Sequence, residues 1–255
     1  DIALMSSKNR DNDAASIFVT QLSPTTSAKY ITNVVYTENI ENVTTDDLAL
    51  IIRRYFEEFD CDYIVQDTSG NGLGVYDSLI KDIYDSEKGE LYPAISCKNN
   101  DEMAERCKIK NAPKVIYSIK ATDKFNSESA LLLREGFRQG KIKLLVSDSD
   151  CEDDVLNDYR GYKNLGSIEK AQLMLPYLNT TLLVNELINL KYEPKKGSLI
   201  KVSEKSGFRK DRYSSLSYNY WLVTQLELEL SKPKEDESFE GQFLFRAPNP
   251  KGRRR

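Results

Sequence analysis

The chain has 255 residues, of which 40% are hydrophobic and 30% are charged, and its formal net charge is -4. This composition is typical of a globular protein with a substantial core, and no apolar run reaches the length that spans a bilayer, so we expect no membrane segment. Histidine is absent, which excludes Ser-His-Asp and Cys-His catalysis and zinc hydrolases of the HExxH type.

The first part of the chain predicts a β-hairpin and a helix. Residues 15–22 and 29–37 are rich in β-branched and aromatic residues and flank a Ser-Pro-Thr-Thr turn, so they predict the hairpin. Thr44 and the acids after it resemble a helix N-cap. The helix is indicated by apolar residues at helical spacing, which are Leu48, Ile51, Ile52, Tyr55, Phe56 and Phe59.

The rest of the chain alternates strands and helices. In chain order we predict a strand over 62–67, a glycine-rich turn over 69–74, a helix from 75 to 83, a strand over 114–119, a helix over 127–139, a strand over 141–146, a helix over 168–190 that contains Pro176, a hairpin over 192–202 and a helix over 213–230.

This order predicts the α/β class, with a mixed β-sheet of an antiparallel hairpin plus parallel strands and with helices on both faces. No internal repeat or clear linker interrupts the chain. We therefore expect one domain over residues 1–232, followed by a charged, Pro-containing tail over 233–255.

Charge is distributed unevenly along the chain. Residues 191–255 hold 15 Lys and Arg against 9 Asp and Glu, whereas the first 190 residues hold 21 against 31. A basic segment on an otherwise acidic chain indicates a polyanion bound at one place, and the alternative is a solvated lysine-rich loop. The basic residues concerned are Lys195, Lys196, Lys201, Lys205, Arg209, Lys210 and Arg212.

Asp67 is expected at the carboxyl end of a parallel strand, just before the glycine-rich turn. Ligand sites of open α/β sheets occur at such strand ends, and glycines allow a phosphate backbone to come close. The alternative is an aspartate that only initiates the turn. A dinucleotide fingerprint starting at Gly70 fails because residue 75 is Val, and no Walker A motif occurs, so we expect no ATP hydrolysis by this chain alone.

Acids also mark the first and last parts of the chain. Asp1 opens a short apolar stretch, Ile2 to Leu4, which would be the first strand of the sheet. Asp13 lies in a predicted turn, where a turn role is the alternative to a role in a site. Asp211 stands at the start of the last long helix, where the alternative role is that of a first-turn acid favoured by the helix dipole.

In this order the segments resemble the ribonuclease H-like superfamily and, more closely, the C-terminal nuclease domain of the large terminase subunit of tailed bacteriophages. The resemblance extends from residue 1 to about residue 230 by element order. It rests on Asp1-Ile2-Ala3 with residues 13–17, on residues 63–72 (YIVQDTSGNG), on the helix and strand over 125–145, and on residues 210–216 (KDRYSSL).

The resemblance implies a metal-dependent endonuclease that cuts concatemeric viral double-stranded DNA during genome packaging. It implies Asp1, Asp67 and Asp211 as the catalytic, metal-binding acids. Asp13 is a candidate accessory acid, with a turn role as the alternative. The three catalytic acids would hold two divalent cations, Mg²⁺ or Mn²⁺, about 3.5–4 Å apart. We expect Asp1 to bridge the ions and the basic segment to hold the DNA backbone.

The resemblance also implies a setting. The family acts in the host cell cytoplasm at the procapsid, together with an ATPase domain, a small terminase subunit and a portal. Two other interpretations stay open. One is another ribonuclease H-like nuclease, such as a resolvase or a transposase core, and the other is a non-catalytic scaffold of the same fold that binds nucleic acid or protein.

Overall fold

The computed structural model describes residues 15–27, 29–154, 156, 161–205 and 209–231, and over these ranges it is a mixed α/β structure. The strands are β1 (Ala15–Pro24), β2 (Tyr30–Ile40), β3 (Ile64–Asp67), β4 (Ile83–Asp85), β5 (Glu90–Tyr92), β6 (Ser96–Cys97), β7 (Lys114–Ile119), β8 (Ile142–Lys143), β9 (Leu190–Lys195) and β10 (Leu199–Glu204). The helices are α1 (Thr45–Glu58), α2 (Asn71–Leu79), α3 (Asp101–Arg106), α4 (Asp123–Arg138), α5 (Asp148–Asp154), α6 (Ser167–Asn189) and α7 (Asp211–Ser231). The predicted tail over 233–255 lies outside the described residues.

The strands combine antiparallel and parallel pairing. β1 and β2 pair antiparallel, which confirms the predicted hairpin, and β8 joins β2 in parallel to complete a mixed sheet. A second group is parallel, in the order β3-β7-β6. β9 and β10 form a separate antiparallel ribbon at the position of the predicted second hairpin.

The two faces of the first hairpin contribute to different apolar cores. Ile17 packs against a cluster built from α1, α2, α3 and β7. Phe18 packs against a cluster built from α4, α6, α7 and β2. Because neighbouring residues of a strand point to opposite faces, β1 has helices packed on both of its sides.

Side-chain caps decide where two of the helices begin. Thr44 Oγ1 accepts from Asp47 N at 3.1 Å, and the Asp47 carboxylate accepts from Thr44 N at 3.4 Å, so α1 starts with a capping box. Thr122 Oγ1 accepts from Phe125 N at 3.3 Å. This cap lets α4 begin at Asp123, earlier than the start at residue 127 that apolar spacing predicts.

Two predicted elements are shorter in the structure. The helix predicted to reach Ile83 ends at Leu79, because Leu79 O accepts from Ile95 N at 3.1 Å and the Asp82 carboxylate accepts from Ala94 N at 2.9 Å. These bonds turn the chain into β4. The strand predicted over 141–146 pairs with β2 only through β8, two residues at the edge of the sheet.

Helix α7 lies along the first hairpin and crosses α4 closely. A Cβ at Gly136 of α4 would overlap the ring of Tyr220 of α7, so only glycine allows this approach. On its other side α7 follows β1, where Thr20 Oγ1 donates to Asn219 Oδ1 at 2.9 Å. This packing determines the end of the sheet at which α7 begins.

Candidate metal and nucleic-acid site

The candidate site lies at the carboxyl end of β3, where Asp67 is the last strand residue. Asp67 pairs in register with Ile119, the last residue of the parallel neighbour β7. Thr68 extends this pairing, since its N–H donates to Ile119 O at 3.0 Å and its hydroxyl lies 2.7 Å from Ser118 Oγ. Both strands thus end at one edge, the place where open α/β sheets bind ligands.

The backbone turns sharply after Asp67. Asp67 Oδ1 accepts from Ser69 N at 3.0 Å, the bond expected of a turn-initiating aspartate. Gly70 follows with φ 53° and ψ -124°, a conformation that residues with a side chain rarely adopt, and α2 begins at Asn71.

Asp67 keeps capacity for a ligand. A carboxylate has about four acceptor positions, and the Ser69 N–H occupies one of them. Over the described ranges, no Lys or Arg forms an ion pair with Asp67. The turn role and a ligand role are therefore compatible at this residue.

Helix α7 begins at the same end of the fold. Ser215 Oγ donates to Ser16 O at 2.8 Å, close to the start of β1. Burial, and then the charge of Asp67, raise the pKa of Tyr218 to about 12. Asp211 is the first residue of α7 and is 3% exposed. Seven residues of helix place it about 10 Å along the axis from Tyr218.

The structure thus brings two of the three predicted acids, Asp67 and Asp211, to one end of the fold. Asp1 and Asp13 lie outside the described residues. In the part of the chain that is described, no group of three metal-binding side chains comes together. Carboxylate oxygens such as those of Asp67 and Asp211 are of the kind that Mg²⁺ and Mn²⁺ take as ligands.

A buried carboxylate that the sequence analysis missed, Glu186 of α6, lies near Asp211. Glu186 Oε2 accepts from Tyr213 N at 3.0 Å and Oε1 accepts from Arg212 Nη1 at 2.8 Å. Burial raises the pKa of Glu186, and the charge of Asp211 adds to the rise, whereas these two hydrogen bonds oppose it. Asn179 Oδ1 accepts from Nε and Nη2 of Arg212 at 3.1 and 3.0 Å.

One signal for Glu186 was present in the sequence. It is the only charged residue between positions 171 and 190, in a stretch that is predicted as a helix containing Pro176. Asn179 precedes it by seven residues, which is about two helical turns, so both lie on one face. A polar pair on the buried face of a helix needs partners, but the sequence does not show that Arg212 is that partner.

A cavity of about 980 Å³ lies between the two groups of strands, and we call it the slot. The consecutive residues 15–22 of β1 line one side and the consecutive residues 61–67 line the other, with α1 and α7 closing it. Since a strand face would expose only alternate residues, the slot is bounded by strand edges. Within the described residues, β1 pairs only with β2 and β3 pairs only with β7.

The β9–β10 ribbon carries Lys195, Lys196 and Lys201, the first part of the basic segment, and lies beside the candidate site. Ile200 N donates to Ser127 Oγ at 3.0 Å, and Lys195 forms an ion pair with Asp123. Both partners belong to the start of α4, which follows the carboxyl end of β7 after a short link. The ribbon is therefore held near the edge at which β3 and β7 end.

The ribbon turns lysines towards solvent. Ile200 and Val202 pack against the core of α4, α6 and α7, so strand alternation directs Lys201 away from that core. Lys196 lies in the turn between the strands. Both lysines are exposed, and neither forms an ion pair with another described residue.

Three more of the predicted DNA-binding residues contact other side chains, two of them in ion pairs with exposed carboxylates. Exposed ion pairs contribute about 0.2–1 kcal/mol, so a phosphate can replace such a partner at little cost. The contacts are Lys205 Nζ to Asn189 Oδ1 at 3.0 Å, Arg209 to Glu41 at 2.7 Å and Lys210 to Glu204 at 2.9 Å.

Arg212 departs from the predicted set. Its side chain is 11% exposed and that of its ion-pair partner Glu186 is 6% exposed. Nε and both terminal nitrogens donate to Asn179 and Glu186 in the interior. The first turn of α7 packs against α6, which turns this guanidinium inward, so we remove Arg212 from the surface that a duplex would contact.

No family model, no curated protein and no solved structure matches this chain. Among the described residues, no helix combines the length and apolarity that crossing a membrane requires. The function is therefore inferred from the residues of the candidate site.

Proposed function

We propose that this chain is a metal-dependent endonuclease that cuts concatemeric viral double-stranded DNA during genome packaging. One observation carries the proposal. Asp67, which has no cation partner among the described residues, ends a parallel strand at the same end of the fold as the buried Asp211, and a lysine-rich ribbon lies beside that edge. Carboxylates that bind cations, next to a surface that binds phosphates, suit phosphodiester hydrolysis.

The proposed fold is ribonuclease H-like, and the slot supports it. Paired strands lie about 4.8 Å apart, so a strand laid between two facing edges gives partners to the N–H and C=O groups of both. A strand in the slot would join β1 and β3 in one sheet.

We propose Asp1, Asp67 and Asp211 as the residues that hold two divalent cations, Mg²⁺ or Mn²⁺. When bound, such ions stabilise the charge on the attacking and leaving oxygens of a phosphodiester and lower the pKa of water. The carboxylates hold and orient the ions. The turn at Gly70, which carries no side chain, leaves room for a phosphate backbone beside Asp67.

The ribbon is the proposed contact for the DNA backbone. Lys196 and Lys201 are exposed, and Lys195 and Lys210 have exposed ion-pair partners that phosphate can displace. Contacts of this kind position a duplex without reading its sequence. We therefore expect binding that depends strongly on salt and weakly on base sequence.

The double substitution Lys196→Gln and Lys201→Gln tests this contact. We expect weaker binding to duplex DNA and a fall in the slope of log affinity against log salt of about 1.8, because each lost phosphate contact accounts for about 0.9. Fluorescence anisotropy at several salt concentrations measures the slope. The matched control is Lys81→Gln with Lys88→Gln, two exposed lysines near the β4–β5 hairpin. Equal slopes for the two double variants would exclude the ribbon from the interface.

Plasmid cleavage tests the proposed activity. The purified chain is incubated with supercoiled plasmid in EDTA, Mg²⁺ or Mn²⁺, and its folding is checked by circular dichroism. We expect nicked and linear products with a divalent ion and none in EDTA. A folded protein that cuts plasmid with neither ion contradicts the proposed nuclease activity. The interpretation that then remains is the non-catalytic scaffold. Cutting limited to branched junctions or transposon ends would identify a resolvase or a transposase core instead.

The biological setting is proposed from the resemblance alone. We propose that the chain works in the host cell cytoplasm at the procapsid. Its partners there would be an ATPase domain of the full-length protein, a small terminase subunit and a portal. Of all the proposed partners, we propose a contact surface among the described residues for double-stranded DNA alone, and it is the β9–β10 ribbon.

A further inference from the structure

We propose that Glu186 and Arg212 are positioning residues that hold Asp211 in the orientation that cation binding requires. The inference rests on the proposed function, since it assumes that Asp211 binds a metal ion. Neither residue needs to touch the ion or the DNA. Three observations carry the inference: the cap of α7, the fixed guanidinium and the charges of the group.

The first observation is how α7 begins. The first N–H groups of a helix lack acceptors within the helix. Glu186 Oε2 accepts from Tyr213 N at 3.0 Å, so a carboxylate of α6 supplies this acceptor from outside α7. A negative charge at this end is also favoured by the helix dipole. Asp211 precedes Tyr213 by two residues, so this bond determines where the backbone of Asp211 lies.

The second observation is that the Arg212 side chain has little freedom. Arg212 Nη1 donates to Glu186 Oε1 at 2.8 Å, and Nε and Nη2 donate to Asn179 Oδ1 at 3.1 and 3.0 Å. Asn179 Nδ2 in turn donates to Leu175 O at 3.1 Å and Thr37 O at 3.4 Å. The residue next to Asp211 is thereby tied to α6 and β2. A lysine has no fork and would make only part of this set.

The third observation is the charge of the group. Asp211 and Glu186 are both buried, at 3% and 5% exposed, and two neighbouring carboxylates repel each other. Arg212 offsets this repulsion from within the same group. Arg212 directs its three described donor bonds to Glu186 and Asn179, so its positive charge is held beside the Glu186 carboxylate.

Glu186→Gln is the test, with Glu229→Gln as the matched control on the exposed far part of α7. Glutamine keeps the size and one acceptor but places an amide donor or a neutral oxygen opposite Arg212. We measure the Mn²⁺ concentration that gives half-maximal DNA cleavage and, in EDTA, the affinity for duplex DNA. The expected result for Glu186→Gln is a metal requirement raised about 10-fold or more, as for other groups that orient metal ligands, with DNA affinity unchanged.

Arg212→Lys is the second variant. Its Mn²⁺ requirement and its DNA affinity are measured in the same way if Glu186→Gln does not fold. It keeps the charge but loses the fork, so we expect a raised metal requirement here too. A folded Glu186→Gln or Arg212→Lys protein with the wild-type Mn²⁺ requirement overturns the inference while leaving the nuclease intact. A wild-type protein that cuts DNA without a divalent ion contradicts both the metal-dependent nuclease and the positioning role. The failure of the inference and the failure of the proposed function are therefore distinguishable.

Discussion

Asp67→Asn is expected to slow metal-dependent DNA cleavage by about 1000-fold or more while leaving the protein folded. Asparagine removes the negative charge that would hold a cation, but its carbonyl oxygen can still accept from Ser69 N, so the turn before α2 is kept. A loss of about 4 kcal/mol in transition-state stabilisation corresponds to about 1000-fold in rate. Single-turnover plasmid cleavage in Mn²⁺ gives the rate, and thermal unfolding in EDTA checks the fold.

The matched control is Asp62→Asn. Asp62 is an exposed aspartate just before the amino end of β3, whereas Asp67 is at the carboxyl end of the same strand. The control should cut like the wild type. Because Asp1 is proposed for the same metal site, Asp1→Asn should lose activity to the same extent as Asp67→Asn. An Asp67→Asn rate within tenfold of the wild-type rate would contradict the proposed metal site.

Arg212→Met is expected to lower the free energy of unfolding by about 3–5 kcal/mol, because it leaves the buried Glu186 carboxylate without its ion-pair partner. Three hydrogen bonds are lost with the guanidinium, and Asn179 Oδ1 loses both of its donors. Urea unfolding followed by circular dichroism measures the change. Methionine keeps most of the length and apolar volume of the side chain.

Arg138→Met serves as the control for Arg212→Met. Arg138 pairs with Glu135 at 2.6 Å, but both side chains are exposed, so this loss should change the stability little. Adding Glu186→Leu to Arg212→Met should recover part of the stability, since it removes the unpaired charge. Equal destabilisation by the two arginine variants would show that the Arg212 pair behaves like a surface pair.

Much of the fold could be predicted because its signals are local. The β1–β2 hairpin, α1, β7 and the long helices α6 and α7 all follow from the spacing of apolar residues and from turn or cap residues nearby. The short elements β4, β5, β6 and α3 were missed. Each has six residues or fewer, and their pairing and packing are with segments outside their own sequence, which no local pattern records.

The sequence by itself determined the chemistry available to this protein. It excluded histidine, placed Asp67 at the end of a strand before a glycine turn, placed Asp211 at the start of a helix, and located the first lysines of the basic segment in a hairpin. These features depend on residue type and short-range spacing, and both are visible in the linear sequence.

Only the tertiary structure decided which of these groups meet. The packing of α7 along β1 brings Asp211 to the end of the fold where Asp67 lies, and the packing of α7 against α6 buries Arg212 against Glu186 instead of leaving it for DNA. Burial and partner choice depend on contacts between residues far apart in sequence. For that reason a residue such as Arg212 can be identified as charged from its sequence, but whether it binds DNA or supports a buried carboxylate follows from the way the helices pack.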